Sequence, residues 1–205
     1  MTDARPAPAR PVAARAPGEQ AAQPLAAGVL AAGEPAAGPQ RVVLSLGSNL
    51  GDRARNLQGA VDALFDAPDV SFVAVSPVYE TEPVGGPPQS GYLNAVLIGA
   101  TARPALTILD LIQGIEEAFH RTREVRWGPR TLDIDIITFG AEVSDGPRLI
   151  LPHPRAHERA FVLAPWLDLD PDAEIPHRGR VGDLLAKAAG APIRRRDDVT
   201  IRPPD

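Results

Sequence analysis

RWGPRTLDIDII, residues 126–137, sets Asp133 and Asp135 two apart in a run whose other members, Leu132, Ile134, Ile136 and Ile137, belong in a buried strand. Residues i and i+2 of a strand share a face. At ~3.3 Å per residue the two acids start roughly 6.6 Å apart. Like charges on one sheet face repel and resist burial unless something cationic lies between them. A pair of magnesium ions, about 3.5–4 Å apart in two-metal sites, suits that gap. Arg121, Arg123, Arg126 and Arg130 stand close upstream, and guanidinium groups bind phosphate in bidentate fashion. Gly128–Pro129 is a turn signal, which places Trp127 and Arg130 on a loop feeding the strand. A lone D-x-D is most often a solvated edge pair. The apolar run argues against that here, and acids for metal beside arginines for phosphate point to Mg-nucleotide chemistry.

Composition narrows the alternatives. With 205 residues and 44% hydrophobic content the chain can bury one good core, but hardly two. A formal net charge of -5 and a pI near 5.4 argue against a general nucleic-acid binder, so the clustered arginines read as a local anion site. The absence of cysteine excludes disulfides and thiolate metal sites and fits a reducing compartment. No apolar run reaches ~18 residues, so no membrane span is expected. A cytoplasmic monomer acting on small molecules is the expectation.

Working outward, residues 1–39 are dominated by Ala, Pro, Gly and Arg without a consistent period and are expected to be a disordered tail. A transit peptide is the other reading of so many arginines and so few acids, but the tail has no serine and no amphipathic face. RVVLSLG (41–47) predicts a buried strand, and Ser48–Asp52 a turn in which Asp52 can cap a helix over 53–66. Leu57, Ala60, Val61 and Leu64 give that helix its apolar face. Val70–Val75 predicts a second strand, continuing towards Tyr79 after an interruption at Pro77. A Pro/Gly-rich loop (81–91) leads to a third strand, Leu93–Thr101. Pro104 opens a second helix carrying Ile108, Leu111, Ile112, Ile115 and Phe119 on one face, and Asp133–Phe139 is the next strand. The order β-α-β-β-α-β is the ferredoxin-like plan of an α+β domain over 40–190. Segments 158–168 and 180–189 predict C-terminal helices covering part of the second sheet face. Residues 191–205, with RRRDD and a Pro-Pro end, read as a loose C-terminal tail. Such a fold does not decide function.

Four segments do. RWGPRTLDIDII resembles the signature of the 6-hydroxymethyl-7,8-dihydropterin pyrophosphokinase family of folate synthesis. LSLGSNLGD (44–52) is similar to that family's first strand and turn, YETEPVGGPPQSGYLNAV (79–96) to its pterin loop and following strand, and LPHPRAHERAFVLAP (151–165) to its nucleotide-side segment. Together they span about 40–168 in the right order. The resemblance implies transfer of the β,γ-diphosphate of ATP to the hydroxymethyl oxygen of the pterin, with release of AMP. It implies Asp133 and Asp135 as ligands of two Mg²⁺ ions and Arg121 and Arg130 as catalytic. ATP would be held by Gln113, Glu116, Arg123, Arg126, Ile136, Arg148, His153 and Arg159. The pterin would be held by Thr81, Glu82, Pro83, Val84, Tyr92, Asn94, Trp127 and Phe161. On residue type alone, Phe161 and Tyr92 are packing residues, and Gln113 and Glu116 belong to a polar helix face. Their roles come from the resemblance. His120 stands where many relatives carry glycine, and the 123–127 loop is short beside some members; both bear on loop closure and rate.

Two other classes remain in view. An ordinary nucleotide-dependent kinase or nucleotidyltransferase would share the D-x-D metals but need no pterin slot. A sensing or RNA-binding module would need no metal pair, and for RNA it would want exposed strand aromatics and a basic face. Because residues 1–39 offer little to bury, a chain beginning at Pro39 is expected to fold and keep full activity. Comparing thermal midpoint and turnover of both lengths checks this, and a large loss would make the tail a working part.

Overall fold

A computed structural model describes residues 38–83, 89–119, 130–188 and 192–204, so nearly all of the expected N-terminal tail lies outside the described residues. The apolar run near the start becomes β1, Gln40–Ser48, paired on both edges and buried on both faces by a layer packed on each side of the sheet. Asp52 then accepts the Arg55 N–H at 3.1 Å and caps α1, Arg53–Phe65, whose Leu57, Ala60, Val61 and Leu64 turn inward as the spacing predicts.

Pro77 does break the next strand. β2, Val70–Val75, and β3, Tyr79–Thr81, pair separately with β4, Tyr92–Thr101. At the break Ser76 supplies the missing rung: its N–H donates to the Val96 carbonyl and its hydroxyl accepts the Val96 N–H, each at 2.9 Å. α2, Ala105–Ala118, follows Pro104 and buries Ala105, Ile108, Ile112 and Ile115. β5, Asp133–Phe139, comes next, followed by a small hairpin of β6, Ser144–Asp145, and β7, Ile150–Leu151. α3 spans Ala160–Leu169, β8 Glu174–Ile175, β9 Gly179–Arg180, α4 Val181–Lys187 and β10 Ile193–Arg195.

The main sheet runs β10-β3-β4-β1-β5, with β2 also on β4, and all its pairings are antiparallel. The described residues thus form a mixed α/β structure with four α-helices and a mostly antiparallel sheet. None of these helices is long and apolar enough to cross a membrane. One core, with Leu44, Leu46, Leu57, Ile112, Ile134 and Ile136, fills the space between the sheet and α1–α2. A second, with Val43, Val96, Ile98, Ile137, Leu163 and Trp166, lies under α3 and α4. One sheet therefore carries two apolar layers, where composition alone suggested a single core. β1 and β4 make this possible by being apolar on both faces.

The expectation of a loose segment over 191–205 is corrected. β10 pairs with β3, and Ile201 is buried in the first core. The arginine run hid the strand, since its pairing is secured by ion pairs rather than by an apolar stripe.

Candidate active site

Followed along its length, the sheet face that carries the second core changes character. On β1 it reads Val43, Ser45, Gly47; on β4, Ile98, Val96, Asn94; on β5, Ile137, Asp135, Asp133. The register sets Asn94, Gly47 and Asp133 in one row across three strands, and Val96, Ser45 and Asp135 in the next. α3 packs over the apolar half. The polar half is the candidate site, with Asp133 and Asp135 half-buried on it.

The carboxylate repulsion anticipated from sequence is met by guanidinium groups. Arg130 Nη1 lies 2.5 Å from Asp133 Oδ2, and Arg159 Nη1 lies 3.1 Å from Asp135 Oδ2. Burial works against the Arg130 charge, but Asp133 beside it outweighs that and holds the guanidinium above its usual value. His153 Nε2 is 3.7 Å from Asp135 Oδ2. Burial pushes the His153 imidazole below its ordinary value, with Asp135 pulling the other way, so the neutral ring is favoured at neutral pH. Its backbone N–H donates to the Ile137 carbonyl at 2.9 Å, which ties the segment after β7 to the outer edge of β5.

Asp135, His153, Ile136 and Arg148 line a cleft of about 300 Å³ at that edge, together with Leu109 and Leu149. Arg148 is paired with Asp110 of α2. Gln113 and Glu116, both expected at the nucleotide by resemblance and on a polar helix face by residue type, differ in their surroundings. Gln113 is exposed and outside the cleft lining. Glu116 is buried, and its Oε1 accepts the Ile134 N–H at 2.8 Å, between the two acids. A larger open groove of about 990 Å³ lies between α1 and residues 200–204, away from Asp133 and Asp135, and none of the expected site residues lines it.

On the other side of Gly47, Asn94 is 4% exposed, and its Nδ2 donates to Thr81 Oγ1 at 3.0 Å. Its Oδ1 faces Gly47, where a Cβ would lie 3.5 Å from that oxygen and 3.8 Å from Tyr92 Cδ1. Gly47, without a side chain, thus stands between Asn94 and Asp133 in the row, next to the Tyr92 ring. Glu82 is exposed, Pro83 and Phe161 are half-buried, and Arg159 sits 5.6 Å from the Phe161 ring centroid. Val84, Arg121, Arg123, Arg126 and Trp127 lie outside the described residues.

Ser48 and Asn49, at the end of β1, and Asn56 of α1 gained no site role from sequence reasoning and prove central. Asn49 exchanges two hydrogen bonds with Arg130: its N–H donates to the Arg130 carbonyl at 3.1 Å, and its Oδ1 accepts the Arg130 N–H at 2.7 Å. Its Nδ2 donates to Gln89 Oε1 and to the Ser90 carbonyl, at 2.8 and 3.2 Å. Ser48 Oγ and Asn56 Nδ2 both donate to the Thr131 carbonyl, at 2.6 and 3.1 Å. One polar knot therefore holds the residues that precede Asp133 and the end of the 81–91 loop. Buried Ser and Asn inside LSLGSNLGD were the available signal.

With the geometry described, comparisons with known proteins agree. The model of the family described as 7,8-dihydro-6-hydroxymethylpterin-pyrophosphokinase (HPPK) matches residues 43–171. The 2-amino-4-hydroxy-6-hydroxymethyldihydropteridine pyrophosphokinase of Pseudomonas aeruginosa is 43% identical over 156 residues, 76% of this chain and 96% of that one. The protein of the same name from Mycobacterium leprae is 50% identical over 161 residues, covering 72% of this chain and 82% of its own. Among solved structures, Plasmodium falciparum HPPK-DHPS superposes with a TM-score of 0.58 at 14% identity, over 73% of this chain and 43% of that one. At that identity the likeness speaks for the fold alone, and this chain spans less than half of the solved one.

Glu116→Ala is expected to cost ~1–3 kcal/mol of stability, because it strips the Ile134 N–H of a buried acceptor. Glu116→Gln keeps an amide oxygen in place and should cost clearly less. Denaturant unfolding of both variants checks the order.

Proposed function

The chain belongs to the 7,8-dihydro-6-hydroxymethylpterin-pyrophosphokinase family, and from that premise we propose how its residues divide the work. The reaction is transfer of the β,γ-diphosphate of ATP to the hydroxymethyl group of 6-hydroxymethyl-7,8-dihydropterin, with release of AMP, in folate biosynthesis. The strand order, with β2 and β3 as two halves of one broken strand beside β4, supports a ferredoxin-like core to which C-terminal helices are added.

The observation that carries the assignment is the row Asn94–Gly47–Asp133, with Asp135 in the adjoining row. That row would offer a flat ring the space over Gly47 on one side of β1, with the paired acids on the other. The pterin would lie over Gly47, its aminopyrimidinone edge against Asn94, whose amide Thr81 holds in one orientation. Tyr92 and Phe161 would pack on the ring; such stacking is worth about 0.5–1.5 kcal/mol beyond area. Thr81, Glu82, Pro83 and Val84 would border it, and Trp127 would close over it. ATP would occupy the cleft at the outer edge of β5, with the base towards Leu109 and Ile136 and the triphosphate towards Asp135 and His153. Arg148 would stand at its rim, with Gln113 and Glu116 on the α2 side.

Asp133 and Asp135 fit a magnesium site by their chemistry. They are hard oxygen donors on one face, and the described residues hold no cluster of three His, Cys, Asp or Glu. Mg²⁺ is commonly bound through one or two carboxylates, with substrate phosphates and waters completing its shell. Two bound ions would neutralise the triphosphate oxygens and polarise the attacking hydroxyl. The hydroxymethyl oxygen would attack Pβ as its proton passes to solvent, the bond between Pβ and the bridging oxygen would break, and AMP would leave with that oxygen. Arg130 and Arg159, released from the acids as phosphate arrives, would take up the charge of the transferring group, with Arg121, Arg123 and Arg126 from the preceding loop. Alignment and charge stabilisation are what such a transfer needs, so no covalent nucleophile is required.

Incubation with ATP, Mg²⁺ and the reduced hydroxymethylpterin should yield AMP and a pterin diphosphate, whereas stoichiometric ADP would favour the ordinary kinase. Asp133→Asn and Asp135→Asn should each lower turnover by about a hundredfold or more, since the metal contribution is several kcal/mol. Their far-UV circular dichroism should match the parent. Normal turnover of either variant at saturating Mg²⁺ would remove the metal assignment.

A further inference from the structure

The RRRDD run, residues 194–198, belongs to no part of the site, yet it lies directly behind it. β10 adds to β3 in the register Ile193↔Thr81, Arg194↔Glu80, Arg195↔Tyr79. Thr81 and Tyr79 face the pterin side, so Glu80 and Arg194 share the opposite face, the one that α1 covers. There the Glu80 carboxylate meets three guanidinium groups. Oε1 accepts from Arg53 Nη1 at 2.9 Å, and Oε2 accepts from Arg196 Nη1 at 2.9 Å and from Arg194. The Arg194 contact, helped by Arg53 and Arg196 and opposed by burial, holds the Glu80 carboxyl at about 2. Arg53 Nη1 also donates to the Gly91 carbonyl at 2.6 Å. Glu80 stands one residue before the end of β3 and Gly91 one residue before the start of β4, so one guanidinium nitrogen joins the two places where the connecting segment leaves and re-enters the sheet. The approach is close: a Cβ on Gly91 would lie 3.1 Å from the Thr81 carbonyl oxygen. On the front face Tyr79 Oη and Arg195 Nη1 both reach Asp168 of α3, at 2.9 and 3.3 Å. The C-terminal segment is thereby bound to both sides of β3.

We propose that Arg53, Glu80 and Arg196 are positioning residues for the pterin, a clasp in which the C-terminal strand holds the two ends of the 81–91 loop at the spacing that sets Thr81, Tyr92 and Asn94 for recognition. The clasp rests on the reading of Asn94 as the pterin-edge contact. Its effect is confined by the sheet. β3 and β5 are three strand spacings apart, roughly 14 Å at ~4.8 Å each, with the nucleotide cleft beyond β5. A disturbance at Glu80 therefore reaches the pterin recess before it reaches ATP.

The test is steady-state kinetics and thermal midpoint of the full chain and of Glu80→Gln, Arg53→Met, Arg53→Lys, Arg196→Ala and Asn94→Ala. Glu80→Gln, Arg53→Met and Arg196→Ala should raise KM for the pterin, by about tenfold where a charge-assisted hydrogen bond is lost from a partly buried carboxylate. KM for ATP should stay within about twofold by the same reasoning, and kcat should move less than the pterin KM. Arg53→Lys retains a donor within reach of both acceptors and should recover part of the affinity lost in Arg53→Met. A lowered midpoint with unchanged pterin KM, or ATP and pterin KM rising together, would overturn the clasp and leave a merely structural ion cluster. Should Glu80→Gln fail to fold, Arg196→Ala and the Arg53 pair decide by the same split. An unchanged pterin KM in Asn94→Ala would instead overturn the pterin assignment on which the clasp depends, and the two failures are thus told apart.

Discussion

Hydrogen bonding of β1 along both its edges is the constraint from which the rest follows. Because β4 and β5 are registered against the same strand, Asn94 and Asp133 come to flank Gly47 without touching one another. A shift of one residue in either pairing would turn the acids or the amide to the α1–α2 side, into apolar packing. The apolar partners Val43, Val96, Ile98 and Ile137 prevent that shift, since they fill the second core on the same face. The energy that fixes the register is thus hydrophobic, and the polar groups are positioned by it.

Electrostatics then prepares the polar half. Among the described residues each acid rests against an arginine, and the side chains involved are between 21% and 35% exposed. Pairs of that exposure contribute little to stability, typically about 0–1 kcal/mol. They are consequently cheap to exchange when a more strongly charged partner enters. The same arrangement keeps two half-buried carboxylates tolerable in the free protein. Glu116 and the polar knot of Ser48, Asn49 and Asn56 make different contacts: they grip backbone groups, so they set where Arg130, Thr131 and Ile134 lie rather than what charge the site carries.

Elements with a repeating apolar signal were legible in the sequence. The Leu57–Leu64 stripe, the Asp52 cap, the break at Pro77 and the strand holding Asp133 and Asp135 appear where periodicity and turn chemistry put them. Residues whose role depends on partners far along the chain were not. Asn49 meets Arg130 across 81 positions, and Arg196 meets Glu80 across 116. No local pattern encodes such contacts. The run RRRDD reads as solvated charge, because the strand its first two residues help to form is stabilised by a carboxylate on a different strand. Glu116 looked like a polar-face residue because the N–H it satisfies belongs to an edge strand that helix periodicity cannot see.

β5 is also the last strand of its sheet, and a terminal strand invites another chain to continue the ladder unless its edge is occupied; here the Ile137 carbonyl already accepts the His153 N–H. On this one, Asp133 and Asp135 would set like charges against the same residues of any identical strand added in register, while Glu116 already occupies the Ile134 N–H. Replacing the acids with neutral residues would remove that like-charge barrier to strand addition.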